Sequence, residues 1–202
     1  MALNHGIGVR IPVPEPEACK TGSWFVCLLL KQANCMYNYK NQLLNWLKTD
    51  RDHQKVADSL KNICLQNNLK ISIVKFADEK DVVEKNCFAY ALNLEPYYHH
   101  DNKKSIPLRP DSEHVYKFIL TELLKKDPRG EIIIYFSSQD WPSHMGLIRK
   151  KAVESKWGIS HVCLHTLKDC PYYSKNTKRF YITDYKKLND SWLELAKKET
   201  AE

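Results

Sequence analysis

Apolar positions recur at helical intervals over residues 37–47, through Leu43, Leu44 and Leu47, and again over residues 53–65, through Val56, Leu60, Ile63 and Cys64, which predicts two packed helices. After Asn67-Asn68 the pattern switches to the alternation of Ile71-Ser72-Ile73-Val74-Lys75-Phe76, a short strand. Residues 87–94 predict a short apolar helix stopped by Pro96, and residues 97–110 a polar, proline-punctuated loop with adjacent His99 and His100. Asp111 is placed to cap a longer helix with Val115, Phe118, Ile119, Leu120, Leu123 and Leu124 on its apolar face, ended by Asp127-Pro128-Arg129-Gly130. Strands then dominate, over residues 131–136, 144–149, 160–167 and 179–182, before an amphipathic helix through Leu188, Trp192 and Leu195. This order predicts an α+β fold in three regions: an extended proline- and glycine-rich arm over 1–20, an α-rich N-terminal region over 21–80, and a helix-plus-antiparallel-sheet region over 81–202.

Composition narrows the class. With 202 residues and 43% hydrophobic side chains the chain can bury a real core. Its longest apolar run, Trp24-Phe25-Val26-Cys27-Leu28-Leu29-Leu30, is too short to span a bilayer. That run also lacks the position and flanks of a signal peptide, so a cytoplasmic protein, or one delivered into a host cytosol, is expected. The net charge of +7 is spread over separate lysine doublets, among them Lys125-Lys126 and Lys150-Lys151, and predicts solvated surface lysines and no specific nucleic-acid partner. Seven cysteines cannot all pair internally, and Cys27, Cys64 and Cys163 sit in apolar runs, as reduced thiols do. The Cys and His spacings do not match a structural zinc site, and His161-Val162-Cys163-Leu164-His165 reads as an alternating strand, so neither metal nor cofactor is expected.

The candidate chemistry lies in Asn86-Cys87-Phe88-Ala89-Tyr90-Ala91, which puts a thiol at a helix start, and in Ser143-His144-Met145-Gly146, which puts an imidazole at a strand start. A helix N-terminus favours thiolate, and a nearby imidazole can take the thiol proton and return it to a leaving group. Asn86 reads either as a donor supporting an oxyanion or as the helix cap. Gly146 allows close approach of another backbone or a substrate, Gly158 supplies a positive φ, and Trp141 reads either as a wall of the cleft or, the favoured reading, as closing its turn over the core.

These motifs resemble the papain-like superfamily in its NlpC-like, cell-wall-hydrolase branch, and still more an uncharacterised papain-like domain family. That family's Asn-Cys-x-Ala-x-Ala start, histidine strand, Ser-Lys-x-Gly turn and late histidine are met here by Asn86–Ala91, His144, Ser155-Lys156-Trp157-Gly158 and His165. The resemblance covers residues 85–183 and implies a papain-like catalytic core. Cys87 would be nucleophile, His144 its base, and His165 the group orienting His144, with His161, Glu154 and Ser155 as alternatives; Asn86, Ser155, Lys156 and Gly158 would support the site. The implied activity is hydrolysis of an amide, peptide or isopeptide, in a protein or peptide substrate through a thioester. A deamidase or acyltransferase using the same site, and a catalytically weak papain-like interaction module, remain alternatives.

Overall fold

The computed structural model describes residues 39–41, 43–45, 52–79, 82, 84–95, 97–101, 104–138, 140–158 and 160–199, without the side chains of 98–108 and 118. The expected arm over 1–20, the apolar run 24–30 and Cys27 lie outside the described residues, as do the side chains of His99 and His100.

Residues 39–41 and 43–45 are helical, and helix α1 follows over His53–Asn67. The Asp52 carboxylate caps α1 by accepting the Lys55 N–H, and Asn68 ends it in a left-handed conformation (φ 52°). Strand β1 is Ile71–Lys75 and helix α2 Cys87–Leu92. Residues expected to form a loop instead make a hairpin, β2 (Tyr97–Asp101) with β3 (Lys104–Leu108). Pro107 suggested a loop, but a two-stranded sheet is all edge, where a proline is tolerated. The Asp111-capped helix is also shorter than expected. A single turn, α3 (Ser112–His114), passes into a π-helical segment Val115–Leu120, and strand β4 (Leu124–Lys126) takes the residues read as the helix end. A continuous apolar run fits either state, and pairing of Leu124–Lys126 with Phe180–Ile182 decides it. Strands β5 (Ile132–Phe136), β6 (Pro142–Arg149), β7 (Ala152–Lys156), β8 (Val162–His165) and β9 (Lys178–Ile182) and helix α4 (Tyr185–Glu199) complete the chain.

Seven strands form one antiparallel sheet in the order β1-β8-β7-β6-β5-β9-β4. Alternation along each strand divides its side chains between two covered faces. On one face Ile132, Ile134, Phe136, Met145 and Ile182 pack with Phe88 and Leu92 of α2, Val115 and Ile119 of the π-helical segment, and Leu188 and Trp192 of α4. On the other, Ile133, Tyr135 and Val153 pack with Cys170, Tyr172 and Tyr173, while Trp157, Cys163, Ile71 and Ile73 pack with Tyr39, Leu43 and α1. Every residue of β5 is buried, as a strand covered on both sides must be. Each large apolar side chain buried here contributes about 1.5–3 kcal/mol. The boundary expected near residue 80 does not interrupt this packing: β1, from the N-terminal region, is the edge strand paired with β8. Trp141 is not in the core as expected; it is 43% exposed and stacks on Tyr116.

A buried thiol on a helix and a buried imidazole on a strand

Cys87 opens α2, and the preceding Asn86 is its cap, accepting the Ala89 N–H at 2.9 Å while its amide donates to the Pro110 carbonyl. Both ends of the amide are thus used in capping the helix and tying it to the Pro110 carbonyl. Cys87 is only 9% exposed, and burial pushes its thiol up to about 11. The backbone N–H groups of Met145, Phe88 and Cys87, and the Lys156 charge, pull in the opposite direction without cancelling it. A helix start alone was expected to favour thiolate. In a six-residue helix that dipole is outweighed by desolvation, which shifts a fully buried group by several units.

His144 is fully buried on β6. Its ring stacks on Tyr172, centroids 4.1 Å apart and planes 13° from parallel, and lies 5.5 Å from the ring of Tyr135, its Cα partner on β5. Neither ring nitrogen has a hydrogen-bond partner. Burial first, and the charge of His165 second, hold its pKa well below 6.5, so the ring is neutral. The thiol–imidazole hydrogen bond expected from the sequence is therefore not made. The physical reason is the period of the strand: Met145 turns into the helix-side core with Cys87 and gives its N–H to the sulfur, so His144, one residue earlier, turns to the opposite layer. Thiol and imidazole are thus held by consecutive residues of β6 and lean into different layers.

None of the four candidates for a third residue bonds to His144. His165 lies on β8, two strands from β6 across β7, or about 10 Å. Its Nδ1 donates to the Thr166 carbonyl at 2.8 Å, which leaves Nε2 to accept from the Ser155 hydroxyl at 2.8 Å; Ser155 Oγ in turn accepts the Trp157 indole N–H at 2.9 Å. The three side chains form one closed donor–acceptor relay, and burial lowers the His165 pKa to about 4. His161 is spent in the same way, accepting the Ala77 N–H and donating to the His53 carbonyl. Glu154 accepts from the Tyr90 hydroxyl at 3.1 Å and pairs with Arg149 at 3.5 Å.

The Ser-Lys-x-Gly segment ends β7 and turns the chain. Gly158 has φ 56°, the left-handed conformation a glycine adopts most cheaply. Lys156 is 1% exposed, donates to the Ser160 carbonyl at 2.9 Å, and is lowered to about 8, chiefly by burial and next by the charge of Arg109. Gly146 lets β7 approach: a Cβ there would lie 2.9 Å from Ser155 Cβ and Val153 Cγ1.

Sequence reasoning missed the aromatic wall. Tyr135 and Tyr172 flank His144, and the buried Tyr135 hydroxyl faces the Cys170 thiol in the same cluster. Tyr172 comes from the turn-rich segment between β8 and β9, where neither periodicity nor motif marks a residue as touching β6. Among the described residues no group of three or more His, Cys, Asp or Glu is placed to hold a metal ion, and no helix is long and apolar enough to cross a membrane. Cys64, Cys87, Cys163 and Cys170 are free thiols.

Fold and site together define a mixed α/β protein in which a sealed thiol at the start of α2 accepts the Met145 N–H of β6, next to an unpartnered imidazole on the same strand. Compared with known proteins, the chain matches no family model, no curated protein and no solved structure.

Proposed function

We propose that the chain is a cysteine-dependent hydrolase of amide bonds, peptide or isopeptide, with a papain-like arrangement of elements and a site that is closed at rest. The observation that supports this reading is His144. Its two ring nitrogens are wholly buried and unpartnered on the residue next to the amide facing the Cys87 sulfur. Leaving such groups unsatisfied costs about 1–3 kcal/mol each, whereas His161 and His165 are fully satisfied. A histidine with a structural role alone has no reason to keep that cost; a proton acceptor waiting for its donor does.

In this reading, displacement of Tyr172 lets the start of β6 twist and carry the His144 ring out of its own layer toward the thiol. His144 takes the Cys87 proton, and the sulfur attacks the substrate carbonyl carbon. The oxyanion then faces the backbone N–H groups already gathered at Cys87, Phe88 and Met145. The imidazolium returns its proton to the departing amine, leaving a thioester that water, deprotonated by His144, hydrolyses. Lys156 adds positive charge toward the thiolate. Deamidation and acyl transfer use the same steps with a different amide or acceptor.

A second reading, a catalytically weak interaction module, draws on the sealed thiol with its pKa near 11. The two separate on incubation with an activated acyl ester followed by peptide mapping. The hydrolase reading expects a transient acyl group on Cys87 that His144→Gln slows; absence of acyl-Cys87 in wild type and in Tyr172→Ala favours the module.

A further inference from the structure

One lysine doublet, Lys150-Lys151, is joined in space by two further cations, Lys70 and Arg149. A groove of about 670 Å³ runs between the β6–β7 hairpin and the start of β1, and among the described residues Lys70, Arg149, Lys150 and Lys151 are the charged ones that line it. Its floor mixes apolar Leu69, Ile71 and Leu164 with Ser72, His165 and Thr166. Lys70, Arg149, Lys150 and Lys151 are all exposed, and among the described residues Arg149 is drawn partly aside, by Glu154 at 3.5 Å.

The hairpin itself is unusual. Arg149 pairs with Ala152, so Lys150-Lys151 is the whole two-residue turn, and Lys150 has φ 55°. Turns of this kind favour Asn or Gly at such positions because a side chain in the left-handed region costs about 1–2 kcal/mol. A lysine held there brings nothing the turn needs; what it brings is charge at the lip of the groove.

We infer that this groove is a docking site for an acidic peptide segment of a protein partner or substrate. Carboxylates would meet the four cations while alternate apolar side chains would rest on the floor. Among the described residues no Phe, Tyr or Trp lines the groove, and the one ring that does, His165, is buried and cannot stack a base, which argues against single-stranded nucleic acid as the occupant. The groove also lies at the far end of β6 from His144, about 16 Å along the strand, so it is separate from the proposed catalytic centre and does not depend on that reading.

The test is fluorescence anisotropy with a labelled synthetic peptide of alternating glutamate and leucine, at low ionic strength. The full chain is compared with Lys150→Glu/Lys151→Glu and with Lys125→Glu/Lys126→Glu, which makes the same charge change on β4 at the opposite edge of the sheet. Wild type is expected to bind, added salt to weaken binding, and the hairpin reversal to weaken it about tenfold or more while the β4 reversal leaves it within about twofold. Lys150→Gly relieves the turn, so it should raise the thermal midpoint and still weaken binding, which separates charge loss from misfolding. The inference is overturned by no binding in wild type, by equal losses in the two reversals, or by an oligonucleotide or phosphatidylserine vesicle binding through the hairpin lysines more tightly than the peptide.

Discussion

The ring of Tyr172 lies flat on the imidazole of His144, 4.1 Å between centroids and 13° between planes. Tyr172 is only half-buried and comes from the segment between β8 and β9, so it is the outermost layer over a wholly buried histidine. Tyr172→Ala should cost about 1–2 kcal/mol in lost stacking and area. It should also admit water to His144, raising its pKa toward 6.5. Histidine NMR titration of the variant is expected to show one imidazole newly titrating between pH 5 and 7 that is silent in wild type; an unchanged set of titrating histidines would mean that Tyr172 is not the cover.

Burial of neutral imidazoles sets the acid limit of the fold. The folded-state pKa of His165 is about 4 and that of His144 is also depressed, both below the ordinary 6.5, so the unfolded chain takes up protons first as pH falls. The stability these groups contribute is whole above about pH 6.5 and is lost as pH drops toward 4. For His165 alone the loss is about 3 kcal/mol. Urea unfolding midpoints should fall steadily over that window, and His165→Gln should flatten the slope. A profile flat from pH 7 to 4 would contradict the burial described here.

Lys156 is an ammonium placed where a hydrophobe would pack. Its folded pKa of about 8 lies below the ordinary 10.5, so at neutral pH it is charged in both states and its desolvation weighs against folding. The Cys87 thiol stays protonated at that pH, so removing the lysine strands no opposite charge there. It does leave the buried Ser160 carbonyl without its donor, so Lys156→Met is expected to stabilise the protein at pH 7 by about 0–2 kcal/mol. The same change should slow alkylation of Cys87, whose thiolate loses a neighbouring positive charge. A variant that is stabilised but alkylated at the wild-type rate would separate Lys156 from the thiol.

Gly146 is fixed by its neighbours across the strand gap. Gly146→Ala would drive a methyl into Ser155, Val153 and the Glu154 carbonyl, at 2.9 to 3.0 Å, and should destabilise the fold by about 1–3 kcal/mol. Chemical denaturation would detect it, and an unchanged midpoint would mean that β6 and β7 are not so closely apposed.

Much of the fold is legible in the sequence because period alone decides it. Ile132–Phe136 is a strand wherever it is buried on both faces, His53–Asn67 repeats at helical spacing, and Asn86 ahead of an apolar run is a cap. The misses have local causes. Ala152–Lys156 is a strand with buried Ser155 and Lys156, so it shows no apolar alternation, and Leu124–Lys126 is recruited by β9 out of a run that fits a helix equally well. The candidate site was legible as a set of residues and not as an arrangement. Whether His144 or Met145 faces α2 is a one-residue matter of register, and nothing in the motif fixes it. Tyr172 and Tyr135 could not be found, since their meeting with His144 is made by tertiary packing across the sheet.

Cys87 and His144 are proposed to work as a pair once Tyr172 moves, and the alkylation rate of Cys87 against pH addresses this most directly. Iodoacetamide modification of Cys87, quantified by peptide mapping, would be followed from pH 5 to 10 in wild type, Tyr172→Ala and Tyr172→Ala/His144→Gln. The account predicts slow reaction in wild type, rising only toward high pH as a thiol near 11 requires. In Tyr172→Ala it predicts a faster reaction with a new inflection near neutrality, abolished when His144 is also replaced. A Tyr172→Ala profile with no neutral inflection, or one that survives loss of His144, would contradict the pairing.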